Sequence, residues 1–266
     1  MFSIFLSEYN TWTLIALGSL AFVAGFIDSV VGGGGLIQIP ALLIGFPNTP
    51  IATLFGTNKI SALAGTSVAA FHYAKRITFD FKLLFVISLS CFVSSFTGAR
   101  IVSLINVEVL KPLILFILIA IAVYTFFKKD LGSVKTKELP YEYQLFYGAM
   151  IGLIIGFYDG FFGPGTGSFF VLAFVVVLGF EFVQASAYAK VVNCVTNISA
   201  LIVFIRQGNF MLELALIMAV MNITGNIIGS KLALRKGNDF VRIIFLVVVI
   251  MMILKYGWEV FGDQGV

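Results

Sequence analysis

Two aspartates and two lysines stand at matched places in a strongly apolar chain: Asp28 and Lys59 recur as Asp159 and Lys190 at a constant offset of 131. An ionised side chain at the centre of a membrane helix costs about 2.5 to 3.5 kcal/mol, so such residues face a cavity or a partner. Each aspartate leads into a glycine cluster, GFIDSVVGGGG from Gly25 to Gly35 and GFYDGFFGPGTG from Gly156 to Gly167. A helical glycine costs roughly 1 kcal/mol relative to alanine. Such clusters therefore predict broken backbone, whose freed amides and carbonyls must find protein or water, because hydrocarbon offers no partner. Those amides can also hold a ligand. The competing reading is that small residues let membrane helices pack closely.

A lysine beside a wet cavity is a compact cation with three donors. Around Lys59 lie Thr57, Asn58, Ser61, Thr66 and Ser67; around Lys190 lie Ser186, Tyr188, Asn193, Thr196 and Asn197. At helical spacing Lys190, Asn193 and Asn197 share a face, as do Lys59, Ala62 and Thr66. Cations, amides and hydroxyls opposite two exposed glycine backbones make an oxyanion site, helped by the dipole of a broken helix end. The candidate substrate-binding residues are thus Gly32, Gly33, Gly34, Gly35, Thr57, Asn58 and Lys59 from the first half. The second half supplies Gly163, Gly165, Gly167, Tyr188, Lys190, Asn193 and Asn197. Asp28 and Asp159 are candidate coupling groups or structural ion-pair partners, the plainest pairing being each lysine with the aspartate of its own half. Because Gly33 becomes Pro164 and Asn58 becomes Ala189 across the offset, a single asymmetric site is favoured over two equal ones.

Other chemistry is thinly supplied. His72 is the one histidine and sits near an expected helix end, where interfacial packing accounts for it; Cys91 and Cys194 lie singly in apolar runs and read as packing residues. No P-loop, HExxH or GxSxG motif is present, so neither a cofactor nor a metal is expected.

These residues need membrane helices to position them. Of 266 residues, 60% are hydrophobic and 11% charged, and the mean hydropathy is +1.05. A soluble core does not require that, so the chain is expected to be an all-α polytopic membrane protein. The net charge of +4 resides mostly in short connections, which is an orientation signal and not a nucleic-acid surface. Apolar segments are expected at 13–31, 36–46, 51–74, 83–105 and 109–127, then at 145–162, 168–180, 183–205, 211–234 and 240–257. The segments after the glycine clusters are too short to span comfortably and read as halves of discontinuous helices or re-entrant arms. Residues 1–127 form a first repeat, 128–144 a polar linker and 145–266 a second repeat, giving about eight transmembrane helices plus the broken segments. Trp12 and Trp258 are expected interfacial anchors. The first residues lack a basic region and carry Glu8, so no cleavable signal peptide is expected.

Basic residues follow the second long helix in the first repeat (Lys75, Arg76, Lys82) and the third in the second (Lys231, Arg235, Lys236, Arg242), while the equivalent early position of the second repeat holds Arg206. If the richer side is cytoplasmic, the repeats are inverted and both termini face outward. A parallel four-plus-four arrangement is the alternative.

GFIDSVVGGGGLIQIPALL, GTNKISA, GFYDGFFGPGTGSFFVLAF and AYAKVVNCVTNISALIVFI resemble the sulfite exporter family TauE/SafE, in its branch of bacterial membrane transporters with paired GFxD motifs. The resemblance covers essentially the whole chain. It implies a multi-pass bacterial inner-membrane secondary carrier, not an enzyme, for small sulfur-containing anions such as sulfite or organosulfonates, with export as the direction. The alternatives are an uptake carrier or channel for another small solute, and an intramembrane enzyme or sensor subunit. The partners expected are a small anion and the lipid bilayer, with no nucleic acid; self-association is left open.

Overall fold

A computed structural model describes residues 11–46, 48–101 and 139–261. The lead 1–10, the expected span 109–127, residues 128–138 of the linker with their four lysines, and the last five residues lie outside the described set. Among the described residues there are eight helices and no strand: α1 (Thr11–Val31), α2 (Gly35–Gly45), α3 (Ile51–Ala74), α4 (Phe81–Ile101), α5 (Tyr141–Phe161), α6 (Thr166–Val176), α7 (Phe182–Arg206) and α8 (Leu212–Phe261). The offset of 131 carries α2 onto α6 residue for residue, and the starts of α3 and α4 onto those of α7 and α8.

Among the described residues five helices are long and apolar enough to cross a bilayer, namely α1, α4, α5, α7 and the 212–247 part of α8. The 24-residue α3 is long enough but not apolar enough, because it carries Thr57, Asn58, Lys59, Ser61 and Thr66. The connection expected between 234 and 240 is instead a single break inside α8, where Gly237 has φ 74° and ψ −160°.

The short segments double back on the helices that precede them. After the break at Gly32 (φ 85°), α2 folds back along α1, so that Gly34 abuts the Ala24 carbonyl and Asp28, and Gly45 reaches Thr13 and Leu17. The second repeat does likewise: Tyr158 of α5 stacks edge-on with Phe169 of α6 at 5.3 Å, and its hydroxyl donates to the Pro164 carbonyl at 2.7 Å. Gly32 and Gly167 meet backbone to backbone, so tightly that a Cβ on either would overlap the other. The two breaks thus touch at the centre of the bundle.

Between repeats the helices exchange partners. Along α5, Gly148, Gly152, Gly156 and Gly160 present one small-residue ridge to Leu83, Ile87, Cys91 and Ser95 of α4, taken in the same order, so these helices run parallel. In the same way α1 lies along the first arm of α8, Gly25 on Asn222 and Phe26 on Gly229. Gly25 and Gly156, the first residues of the two motifs, are therefore packing residues. Equivalent helices α3 and α7 run in opposite directions: Ser67 meets Cys194 at 3.7 Å, Lys59 meets Asn197 at 3.1 Å, and Gly56 abuts Phe204 and Asn209.

The bundle accordingly has two distinct ends. At the first, Leu14, Leu17, Leu42, Phe46, Leu54, Leu214 and Met218 form one cluster. At the second, His72 bonds Ser230, the Asp80 amide bonds Tyr188, and Val183 bonds Asn238.

Candidate functional site

Ending a helix inside a membrane leaves its last four carbonyls without intrahelical donors. At the end of α1 the protein supplies a donor for five consecutive carbonyls. Lys190 Nζ donates to Asp28, Tyr73 Oη to Ser29 at 3.1 Å, Ser186 Oγ to Val30 at 3.0 Å, Ser168 Oγ to Val31 at 3.0 Å, and the Ser168 amide to Gly32 at 3.1 Å. Ser186 and Lys190, read from sequence as part of an anion-binding face, are thus employed in terminating α1.

The ion pairs cross between repeats. Lys59 Nζ lies 3.0 Å from Asp159 Oδ2, and Lys190 Nζ lies 3.3 Å from Asp28 Oδ1. This corrects the expectation of neutralisation within each repeat. Because α3 and α7 are antiparallel, each lysine is carried away from the tip of its own hairpin and towards that of the other. Thr66 adds a 2.8 Å bond from its hydroxyl to Asp28 Oδ2.

The two lysines have different surroundings. Lys190 is sealed at 0% exposure, whereas Lys59, at 5%, borders a cavity of about 30 Å³ between the two breaks. Gly32 and Gly35 line it on one side and Gly163 and Gly167 on the other; Asp28, Asp159, Asn58, Asn193 and Asn197 complete its polar wall. Lys59 donates to Asp159 and, at 3.1 Å, to Asn197, which leaves its third proton for a ligand. Gly163 (φ 89°) passes so close that a Cβ there would sit 3.7 Å from Nζ. Asn58 Oδ1 is buried and accepts no hydrogen bond among the described residues.

Several candidates lie elsewhere. Gly33, Gly34 and Gly165 shape the breaks but do not border the cavity. Thr57 accepts from the Met211 amide at 2.9 Å and fastens α8 to α3. Tyr188, its repeat mate, accepts from the Asp80 amide at 2.7 Å and lines a separate cavity at the second end. There Asp80 caps α4; the Leu83 amide chiefly holds its carboxyl below the ordinary range, burial opposing. Arg100, near the end of α4, is exposed and stacks on Phe96 at 4.4 Å.

Sequence reading missed the apolar wall, Ile39, Phe55 and Phe162. Phe55 and Phe162 meet edge to face at 6.1 Å, and their repeat mates are Ser186 and Val31. That mismatch was the available signal. It places the aromatic lining on the Lys59 side alone, which makes the cavity asymmetric.

Comparison with known proteins agrees in extent. The profile of the sulfite exporter TauE/SafE family matches residues 17–256. A "probable membrane transporter protein" of Haemophilus influenzae is 35% identical over 253 residues, 95% of this chain and 96% of the relative. The "probable membrane transporter protein ORF9" of a Sinorhizobium species is 38% identical, with 88% of each chain covered. The "probable membrane transporter protein YfcA" of Escherichia coli is 35% identical, covering 94% of this chain and 93% of the relative. No solved structure matches.

Proposed function

The chain belongs to the sulfite exporter TauE/SafE family, and from that premise we propose that it exports a small sulfur-containing oxyanion, such as sulfite or an organosulfonate, through the cavity at Lys59. A multi-pass membrane transporter, not an enzyme, is what the family and the relatives make it. The observation that carries the anion reading is Lys59 itself: a cation with a free donor, between two glycine breaks, on the wall of the cavity.

The cavity has room for a water molecule, not for an anion of four or more heavy atoms. Passage therefore requires the α1–α2 and α5–α6 tips to part, and the entering anion replaces Asp159 as the partner of Lys59. An anion leaving an inside-negative cell gains about 2.3 kcal/mol per charge per 100 mV, so export needs no accompanying ion and the aspartates serve to hold the lysines. In proteoliposomes under an imposed potential, without a pH or sodium gradient, sulfite flux should follow the voltage. Flux indifferent to voltage but driven by a pH gradient, with that response lost in Asp159→Asn, would reverse this reading.

The repeats are inverted in this proposal, supported by the opposite courses of α3 and α7 and by the gathering of Lys75, Arg76, Lys231 and Arg235 at the second end. Excess positive charge puts that end in the cytoplasm. An impermeant maleimide added to intact cells should label cysteines at positions 1, 207 and 266, and should reach position 236 only after permeabilisation. Labelling of 207 and 236 from the same side would sink the topology.

A further inference from the structure

Where the last turn of α3 meets the first arm of α8, a third cavity, of about 440 Å³, opens at the basic end of the bundle, lined by His72, Lys75, Arg76, Lys231, Leu234 and Arg235. Four full cations converge on it, and among the described residues no carboxylate lines it. Among the described residues none of the four makes an ion pair. An orientation signal requires cations on one side of the membrane; it does not require them to share one cavity, where they repel one another. Nor does the duplication produce the cluster, since the repeat mates of Arg76 and Arg235 are Gln207 and Leu104.

The geometry is ordered from beneath. Ser230 gives its proton to the Asn226 carbonyl at 2.6 Å, so the 2.7 Å contact between His72 and Ser230 has the ring Nδ1 donating. Lys75 lies 4.1 Å over the ring of Phe71, which is 58% exposed, and Leu234 adds an apolar wall. Two guanidinium groups that can each grip oxygens in pairs, two ammonium groups and a neighbouring exposed aromatic match a phosphate at the end of an acyl chain.

We propose that this pocket binds a phosphate group, supplied by the headgroup of an anionic phospholipid or by free inorganic phosphate. Such a site lies apart from the cavity at Lys59 and ties α3 to α8 by way of the ligand. Its charges neutralise the phosphate, while Phe71 and Leu234 face the lipid's glycerol and chains.

The test uses the full chain in nanodiscs of phosphatidylcholine with and without phosphatidylglycerol, read by native mass spectrometry, and in detergent with inorganic phosphate, read by melting temperature. The pocket variant is Lys231→Gln, Arg235→Gln; the control variant, Lys82→Gln, Lys236→Gln, removes the same charge from exposed positions outside the pocket. Wild type and control should retain phosphatidylglycerol, and the pocket variant should hold it about thirtyfold more weakly, as expected for two cations near an anionic headgroup. If phosphate alone raises the melting temperature of wild type but not of the pocket variant, the free ion suffices as ligand; if only the lipid discriminates, the headgroup is the source. Should neither probe distinguish pocket variant from wild type, or should the control lose the lipid equally, the proposal is overturned.

Discussion

The double variant Lys59→Met, Asp159→Asn should fold, insert and remain monodisperse, yet lose at least about a hundredfold in sulfite flux, the worth of a charged hydrogen bond near 3 kcal/mol. The single change Lys59→Met is the weaker experiment, because it strands the Asp159 carboxylate at 3% exposure and confounds charge with stability. Removing both members of a buried pair is often neutral, whereas removing one is not. Met matches the length and apolarity of the lysine stem, and Asn keeps the shape of the aspartate. Neutralisation of Asp159 thus ceases to be an issue in the double variant, and what remains absent is the cation in the cavity. Flux restored to the wild-type level would show that Lys59 serves Asp159 alone. Purified protein in sealed proteoliposomes, with folding monitored by gel filtration and circular dichroism, makes the comparison direct.

The equivalent variants in the other pair should behave in the opposite way. Lys190→Met is expected to destabilise the bundle by about 3 to 5 kcal/mol, since it leaves the buried Asp28 carboxylate without its cation and takes from the Asp28 carbonyl one of its two donors. In a chain of this size that corresponds to a drop of roughly 10 °C in melting temperature. Adding Asp28→Asn should recover most of the stability, though not all, because the carbonyl keeps the Gly32 amide but not the lysine. It should also recover most of the flux. A Lys190→Met, Asp28→Asn protein that melts like wild type but transports nothing would put Lys190 in the substrate path, against its complete burial. The two double variants together ask whether one ancestral lysine site has become the transport site and the other a structural clamp.

The two lysines show how far sequence reasoning reached. Their identity and equivalence were legible, because a duplicated unit writes the same rare residues twice in an apolar background and each charge there requires a reason. Their difference was not, because it depends on neighbours from other helices. Phe55 and Phe162 wall the cavity beside Lys59, and Asp28 with the end of α1 closes over Lys190.

What the sequence by itself determined is the membrane character, the offset of 131 that reappears in the helix boundaries, the breaks at the glycine clusters and the set of polar residues available at the centre. These are local or periodic properties: hydropathy, helix propensity and repetition act within a few turns of chain. What the tertiary structure decided is which partner each residue meets. Lys59 finds Asp159 across 100 residues and Lys190 finds Asp28 across 162, because antiparallel α3 and α7 exchange their charged faces between the two hairpins. The return of α2 along α1, and the meeting of Lys75 and Arg76 with Lys231 and Arg235, arise in the same way. Each is fixed by which helices pack together, and a helix's own sequence specifies the face it buries but not the face that covers it.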